Sequence, residues 1–189
     1  MIFVYRIFIN LILILSPLII LFRLLKKKED AFRFREKLGF FTKNRSKGKL
    51  IWFHGASVGE FQSIVPLLEK LEQSKKISQI LITSSTVSSS KLISKIKLKK
   101  ITHQFFPIDN NLIIRKFINY WKPSIALFVD SEIWPNTLLN LNKEKIPTVL
   151  INARVTRKSY YRWIRFKNFS KLIFNRFDLC LSSNKETVS

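Results

Sequence analysis

Apolar and polar positions along this chain come in blocks. Leu50–Phe53, Ile80–Thr83, Thr102–Phe106, Ile125–Val129, Thr148–Ile151 and Leu179–Leu181 are short runs, most of them apolar nearly throughout. Runs of this length without polar alternation predict strands covered on both faces. Between them the apolar spacing changes to three and four. Phe61, Ile64, Val65, Leu68 and Leu71 predict a helix over 61–71. Further helices are expected near 86–98, 110–120 and 134–143, a long one over 156–175, and the start of another at Lys185–Ser189. Strands alternating with helices in this rhythm predict a Rossmann-like α/β fold around a parallel sheet. In such sheets ligands bind beyond the carboxyl ends of the strands. The segments where chemistry is expected are therefore His54–Glu60, Ser84–Thr86, Pro107–Asp109, Asp130–Asn136, Asn152–Arg154 and Ser182–Asn184.

The first 25 residues follow a different pattern. Apolar character runs from Ile2 to Leu25, interrupted by Arg6, Asn10, Ser16, Pro17 and Arg23. A spanning helix needs about 20 mostly apolar residues, so a membrane-anchor helix is expected over 1–25. The lysines Lys26, Lys27 and Lys28 follow it, without the small-x-small pattern of a cleaved signal, and predict a cytoplasmic location for all that follows. Spanning and shallow interfacial insertion both fit this pattern, and a buried helix of a soluble domain is the third reading. Residues 26–48 read as a basic connector with a helix stop at Gly39, and 49–189 as the α/β domain.

Charge adds a partner class. Lys and Arg number 34 against 12 acidic residues, a formal net charge of +22. A surplus of that size points to an anionic membrane face, a phosphorylated substrate or nucleic acid; lysine-rich drift on solvated faces is the alternative. The basic, aromatic-rich segment over 157–176 suits either an anionic membrane surface or ordinary packing with a basic outer face. No nucleic-acid module signature is present. Cys180 is the one cysteine, which excludes an internal disulfide and fits a reducing compartment. With His54 and His103 it makes no zinc spacing, so no metal site is expected.

Three motifs carry candidate chemistry. G-A-S-V-G-E, 55–60, lacks the lysine of a nucleotide P-loop and the glycine spacing of a dinucleotide site. Gly55 and Gly59 would still admit a substrate to backbone N–H groups at a helix N-terminus. Glu60 in that first turn is either a carboxylate favoured by the helix dipole or a general base. In D-S-E-I-W-P-N, 130–136, Asp130 and Glu132 hint at hard-oxygen ligation, or Glu132 and Pro135 simply start a helix; Trp134 is expected in the core. In N-A-R-V-T-R-K-S, 152–159, Arg154 would grip a phosphate or carboxylate, or lie on a solvated loop, and Thr156 would cap the next helix.

Taken in order, FHGASVGE, ITSSTVSSS, FFPIDN, DSEIWPN and INARVTRKS resemble the motifs of the 3-deoxy-D-manno-octulosonic acid (Kdo) transferases, as does the N-terminal apolar helix followed by FRFREKLGF. The resemblance implies the N-terminal half of a GT-B glycosyltransferase, with acceptor-binding residues on this half. It implies transfer of Kdo from CMP-Kdo to the lipid A precursor at the cytoplasmic face of the inner membrane, with inversion. Glu60 matches the family's general base. Asp130 stands where the family usually has a glutamate that stabilises the transition state, one methylene shorter, with Glu132 as the fallback. Ser57, Gly59, Ser84, Glu132, Asn152 and Arg154 are the expected substrate-binding positions. The donor CMP-Kdo implies no cofactor, no metal and no nucleic-acid partner. It does imply a CMP-sugar-binding C-terminal domain, since family chains run to roughly twice this length, as two similar domains would. Two alternatives stand beside this reading: an inactive, membrane-attached acceptor-binding domain, and a basic membrane-surface or nucleic-acid binder.

Overall fold

A computed structural model of the chain describes residues 1–154 and 156–183, the side chains of Arg157 and Lys158 apart. The helix expected at Lys185–Ser189 lies outside the described residues. Six parallel strands form one sheet: β1 (Leu50–His54), β2 (Gln79–Ser84), β3 (Ile101–Phe105), β4 (Ile125–Val129), β5 (Thr148–Ala153) and β6 (Leu179–Ser182). Their order is β3-β2-β1-β4-β5-β6. The chain winds outward from β1 in one direction, then returns to β1 and winds in the other. The turning point of the topology therefore lies between β1 and β4, and it is beyond the carboxyl ends of the strands at such a point that these sheets bind their ligands.

The helices are α1 (Ile2–Leu25), α2 (Val58–Glu72), α3 (Val87–Lys95), α4 (Asn111–Trp121), α5 (Pro135–Lys143), α6 (Arg157–Arg165) and α7 (Lys167–Phe174). Helices α2 and α3 cover one sheet face through Phe53, Phe61, Ile64, Leu68, Ile80, Ile82 and Ile93. Helices α4, α5 and α7 cover the other through Trp52, Phe117, Trp121, Phe128, Leu138, Leu141 and Ile173. Trp52 is fully buried, packs against Phe106, Phe117 and Phe128, and donates its indole N–H to Thr83 Oγ1 at 2.8 Å. A buried aromatic of this size contributes several kcal/mol, and its loss to alanine costs about 3–5 kcal/mol.

Side-chain caps set most helix starts. Ser57, Thr86, Asn110 and Thr156 accept from the first turns of α2, α3, α4 and α6. The single long helix expected over 156–175 is corrected: it breaks at Phe166, whose backbone (φ −121°, ψ 49°) ends α6 and starts α7. The break lets Phe174 turn in against Trp163 and Ile173 reach the core, a packing gain that the helical spacing alone does not reveal.

The 26–48 segment folds onto the domain. A short 3-10 helix, Phe34–Leu38, ends at Gly39, which adopts the left-handed conformation (φ 83°). Glu36 is fully buried; it pairs with Arg33 at 2.9 Å, accepts from Thr42, and accepts the Phe105 N–H at 2.6 Å on edge strand β3.

Candidate active site at the sheet turning point

The loops after β1 and β4 flank the turning point. The loop after β1 carries Glu60. Its backbone N–H donates to Ser57 Oγ at 3.2 Å, and its Oε2 accepts the Ala56 N–H at 2.8 Å. The carboxylate thus folds back over the turn, leaving Oε1 without a protein partner among the described residues. Gly55 makes this position possible. A Cβ there would lie 3.2 Å from Glu60 Oε2 and 3.1 Å from Phe61 Cζ, tighter than ordinary contact. At Gly59 a Cβ would meet nothing within 4 Å. That side of the turn is open space.

The loop after β4 carries Asp130, with a left-handed backbone (φ 63°). Asn152, at the end of β5, is also left-handed (φ 53°) and sits where the β5–β6 register shifts. Asn and Asp tolerate this region better than other residues, at some cost in strain. Two such residues at neighbouring strand ends mark a strained rim of the kind found at functional sites. Asn152 is exposed and donates to Ser63 Oγ at 2.9 Å; Ser63 in turn donates to the Glu60 carbonyl at 2.7 Å. This chain of bonds ties the β5 end to the Glu60 turn.

A cavity of about 620 Å³ opens on the β4–β5 side. Asp130, Ser131 and Arg154 line its polar part, with Arg162 and Arg165 from α6; Ile133, Trp163, Phe166 and Phe169 line the apolar part. Met1 also borders it. The arrangement suits an amphiphile with an anionic head: guanidinium forks pair with phosphate or carboxylate, and the aromatic wall takes an apolar body. Glu60, Ser57, Gly59 and Asn152 do not line this cavity; they form the neighbouring rim.

Two expected substrate-binding residues turn their polar atoms inward, Glu132 from a half-buried position. Ser84 is fully buried, with its hydroxyl 2.8 Å from His103 Nε2. Glu132 Oε2 is 3.1 Å from His54 Nε2 and accepts the Trp134 indole N–H at 3.0 Å. Burial works to raise the Glu132 pKa, but the hydrogen bond and charge of His54, with the Trp134 bond, hold it below the usual carboxylate value. His54 is buried on β1, stacked on Phe106 at 3.9 Å, and its Nδ1 faces Thr83. His54 and Glu132 therefore bridge the turning point from beneath. Trp134, partly buried, packs against the core, as expected.

Asp109 is a positioning residue that the spacing did not single out. It follows β3, is buried, and accepts four hydrogen bonds. Asn136 N–H and Thr137 N–H donate at 2.9 Å each, Thr137 Oγ1 at 2.6 Å and Tyr5 Oη at 2.7 Å. It caps α5, which has no side-chain cap of its own, and so holds the loop carrying Asp130 and Glu132. Burial raises its pKa more than these bonds lower it. Its signal in the sequence was a carboxylate within the post-strand segment Pro107–Asp109. Among the described residues no cluster of three or more potential metal ligands exists.

The fold has known counterparts. A UDP-N-acetylglucosamine 2-epimerase superposes with a TM-score of 0.53 at 14% identity, over 74% of this chain and 43% of that one. The S. aureus MnaA–UDP complex gives 0.52 at 17%, over 71% and 37%. Identities this low establish the fold, the Rossmann-like half of a GT-B type. Sequence relatives go further. A Rickettsia bellii 3-deoxy-D-manno-octulosonic acid transferase is 39% identical over 160 residues, covering 84% of this chain and 38% of its own length. The Rickettsia prowazekii transferase is 42% identical over 129 residues (68% and 28%), and the Haemophilus influenzae transferase 30% over 174 (90% and 41%). The chain thus spans well under half the length of these relatives. The family model described as 3-deoxy-D-manno-octulosonic-acid transferase (kdotransferase) matches residues 32–189. With a turning-point carboxylate, a basic cavity and that match over most of its length, this chain belongs to the Kdo transferase family.

Proposed function

We propose that this chain is the acceptor-binding, base-bearing part of a glycosyltransferase that moves Kdo from CMP-Kdo to the lipid A precursor (lipid IVA) in lipopolysaccharide core synthesis, at the cytoplasmic face of the inner membrane. One observation carries the reading. Glu60 sits at the sheet turning point with Oε2 held by the Ala56 N–H and Oε1 without a partner among the described residues, next in the chain to Gly59, around which there is open space. A carboxylate oriented through one oxygen and unencumbered at the other is suited to general-base work.

In this reading Glu60 Oε1 takes the proton of an acceptor sugar hydroxyl. The acceptor oxygen attacks the anomeric carbon of Kdo as its bond to the CMP phosphate oxygen breaks, and CMP leaves with that electron pair. Attack from the face opposite the leaving group inverts the centre. Asp130, at the cavity rim, faces the positive charge that develops on the sugar ring. Arg154 pairs with an acceptor phosphate. Ser57, Gly59 and Asn152 line the acceptor's approach to Glu60, while Ser84 and Glu132 support the rim from the interior. The donor is held by a second domain. Neither a cofactor nor a metal takes part, and nucleic acid is not a partner.

The test is Kdo transfer from CMP-Kdo to lipid IVA in membranes, with this chain alone and with a separately supplied donor-binding domain, comparing Glu60 with Glu60→Gln. Gln keeps an acceptor for the Ala56 N–H, so the fold is preserved. Activity is expected to fall by about 10²–10⁴-fold. Undiminished transfer by Glu60→Gln would remove Glu60 as the base. Lipid IVA binding without transfer under every condition would leave an acceptor-binding domain that does not catalyse.

A further inference from the structure

Helix α1 is long enough to cross a bilayer: 24 residues at 1.5 Å each make about 36 Å, against a hydrocarbon core of about 30 Å. Its contacts describe another pose. Tyr5 donates to Asp109 at 2.7 Å and Arg6 Nε to Asn136 Oδ1 at 3.0 Å, while Asn10 Oδ1 accepts from Asn110 at 2.7 Å. Further along, Ile9, Ser16 and Ile20 are buried. Near the other end Arg23 pairs with buried Glu29 at 2.9 Å, and Glu29 also takes Lys37 of the 3-10 segment at 2.7 Å. Residues 5, 6, 9, 16, 20 and 23 share one stripe at helical spacing. The polar residues that interrupt the apolar run are thus the docking face. The opposite face, including Phe3, Leu11, Leu18 and Leu25, is more than half exposed.

We propose that α1 lies in the plane of an anionic leaflet, held near its N-terminal end to the α/β domain and at its C-terminal end to the 26–48 segment, and does not span the bilayer. A spanning helix would carry Tyr5 and Arg23 to opposite sides of the membrane, yet Tyr5, Arg6 and Asn10 bond the α/β domain itself, and Arg23 pairs with Glu29 of the 26–48 segment that folds onto the same domain. The occupant of the exposed face is the headgroup–acyl boundary, selected by two features. The face is apolar over the whole helix, and it is flanked by Lys26, Lys27 and Lys28, which attract anionic headgroups. Because Met1 borders the cavity of Asp130 and Arg154, this pose sets the cavity mouth at the membrane surface. The inference does not need the catalytic reading, since pose is read without substrate.

The experiment uses the full chain in vesicles of mixed phosphatidylcholine and phosphatidylglycerol. Single cysteines replace Phe3, Leu11, Leu18 or Leu25 in a Cys180→Ser background, each carrying a fluorophore, with nitroxide lipids as shallow or deep quenchers. All four positions face outward, so labelling spares the fold. The expected result is one common depth, about 5–10 Å below the surface, at all four positions. Deep quenching at 11 and 18 with shallow quenching at 3 and 25 would overturn the proposal, as would no quenching anywhere. Cutting the clamp with Tyr5→Phe, Arg6→Ala and Asn10→Ala together is expected to let positions 11 and 18 sink toward the deep quencher. Unchanged depth in that variant would refute the clamp.

Discussion

Gly55 and Gly59 stand four residues apart in one turn and have opposite roles. A methyl at Gly55 meets Glu60 Oε2 and Phe61 at 3.1–3.2 Å. Gly55→Ala is therefore expected to cost about 1–3 kcal/mol and to displace the carboxylate. Gly59 lies in the first turn of α2 with free space around it. Gly59→Ala should leave stability unchanged or raise it by up to about 1 kcal/mol. Thermal unfolding of the two variants checks the pair; transfer lost in a stable Gly59→Ala protein would report a substrate against that backbone. Asp109 has a third role, through its four donors. Asp109→Ala leaves two α5 N–H groups and the Tyr5 hydroxyl unpaired, and is expected to cost about 2–4 kcal/mol in urea unfolding. His103 controls a pH response. Arg33 donates to its Nδ1 at 3.0 Å, so Nε2 carries the proton toward Ser84 and the ring is neutral. Burial, then the Arg33 charge, lowers its pKa from 6.5 to about 3. Between these values the unfolded chain binds a proton that the folded chain refuses. The contribution of His103 is thus complete above pH 6.5 and declines as pH falls toward 3, by at most about 1.4 kcal/mol per pH unit. His103→Gln is expected to flatten that part of the stability–pH curve.

Among the elements, the strands were the most legible. Each of the six apolar runs is a strand within a residue or two, because a strand buried on both faces must be apolar nearly throughout; edge strand β6 departs from the expected burial, being exposed along its whole length with only β5 beside it. One cap was legible for a similar local reason: Thr156 accepts the Ser159 N–H at 3.2 Å, as expected of a cap. The two long helical segments were less so. The 156–175 segment has unbroken helical spacing, yet it divides at Phe166 where core packing outweighs continuity. The apolar run of α1 invited a spanning reading because each polar residue within it looked like an isolated interruption. Their shared face becomes visible only once Asp109, Asn110 and Asn136 are seen to lie along it. Likewise Glu36 lies within a segment that reads as a basic connector, but its carboxylate binds edge strand β3.

Across the whole molecule, charge and topology act together. With a formal charge of +22, binding of the chain to anionic vesicles is expected to weaken as salt rises from about 0.05 to 0.5 M, over which the screening length shrinks several-fold. Co-sedimentation with phosphatidylglycerol vesicles against phosphatidylcholine vesicles measures this. A loss of affinity of roughly tenfold or more is expected with the anionic lipid, and little change with the neutral one. The post-strand segments named from pattern alone contain every residue of the candidate rim, since a parallel sheet brings all its strand ends to one edge. Their pairing across that edge was not legible. Strand order follows from which apolar faces fit together, not from sequence order. Only that order sets the Glu60 turn next to the Asp130 loop, with His54 and Glu132 bridging beneath.

Local chemistry thus decided the elements, the helix caps, the family motifs and the positive charge of this protein, because each depends on residues near one another in the chain. The tertiary structure alone decided three things: that Ser84 and Glu132 face inward, that Asp109 joins α1 to α5, and that Asp130 and Arg154 share a cavity from which Glu60 stands apart. All three depend on contacts between residues far apart in sequence, whose partners are set by the packing of the complete sheet and its helices.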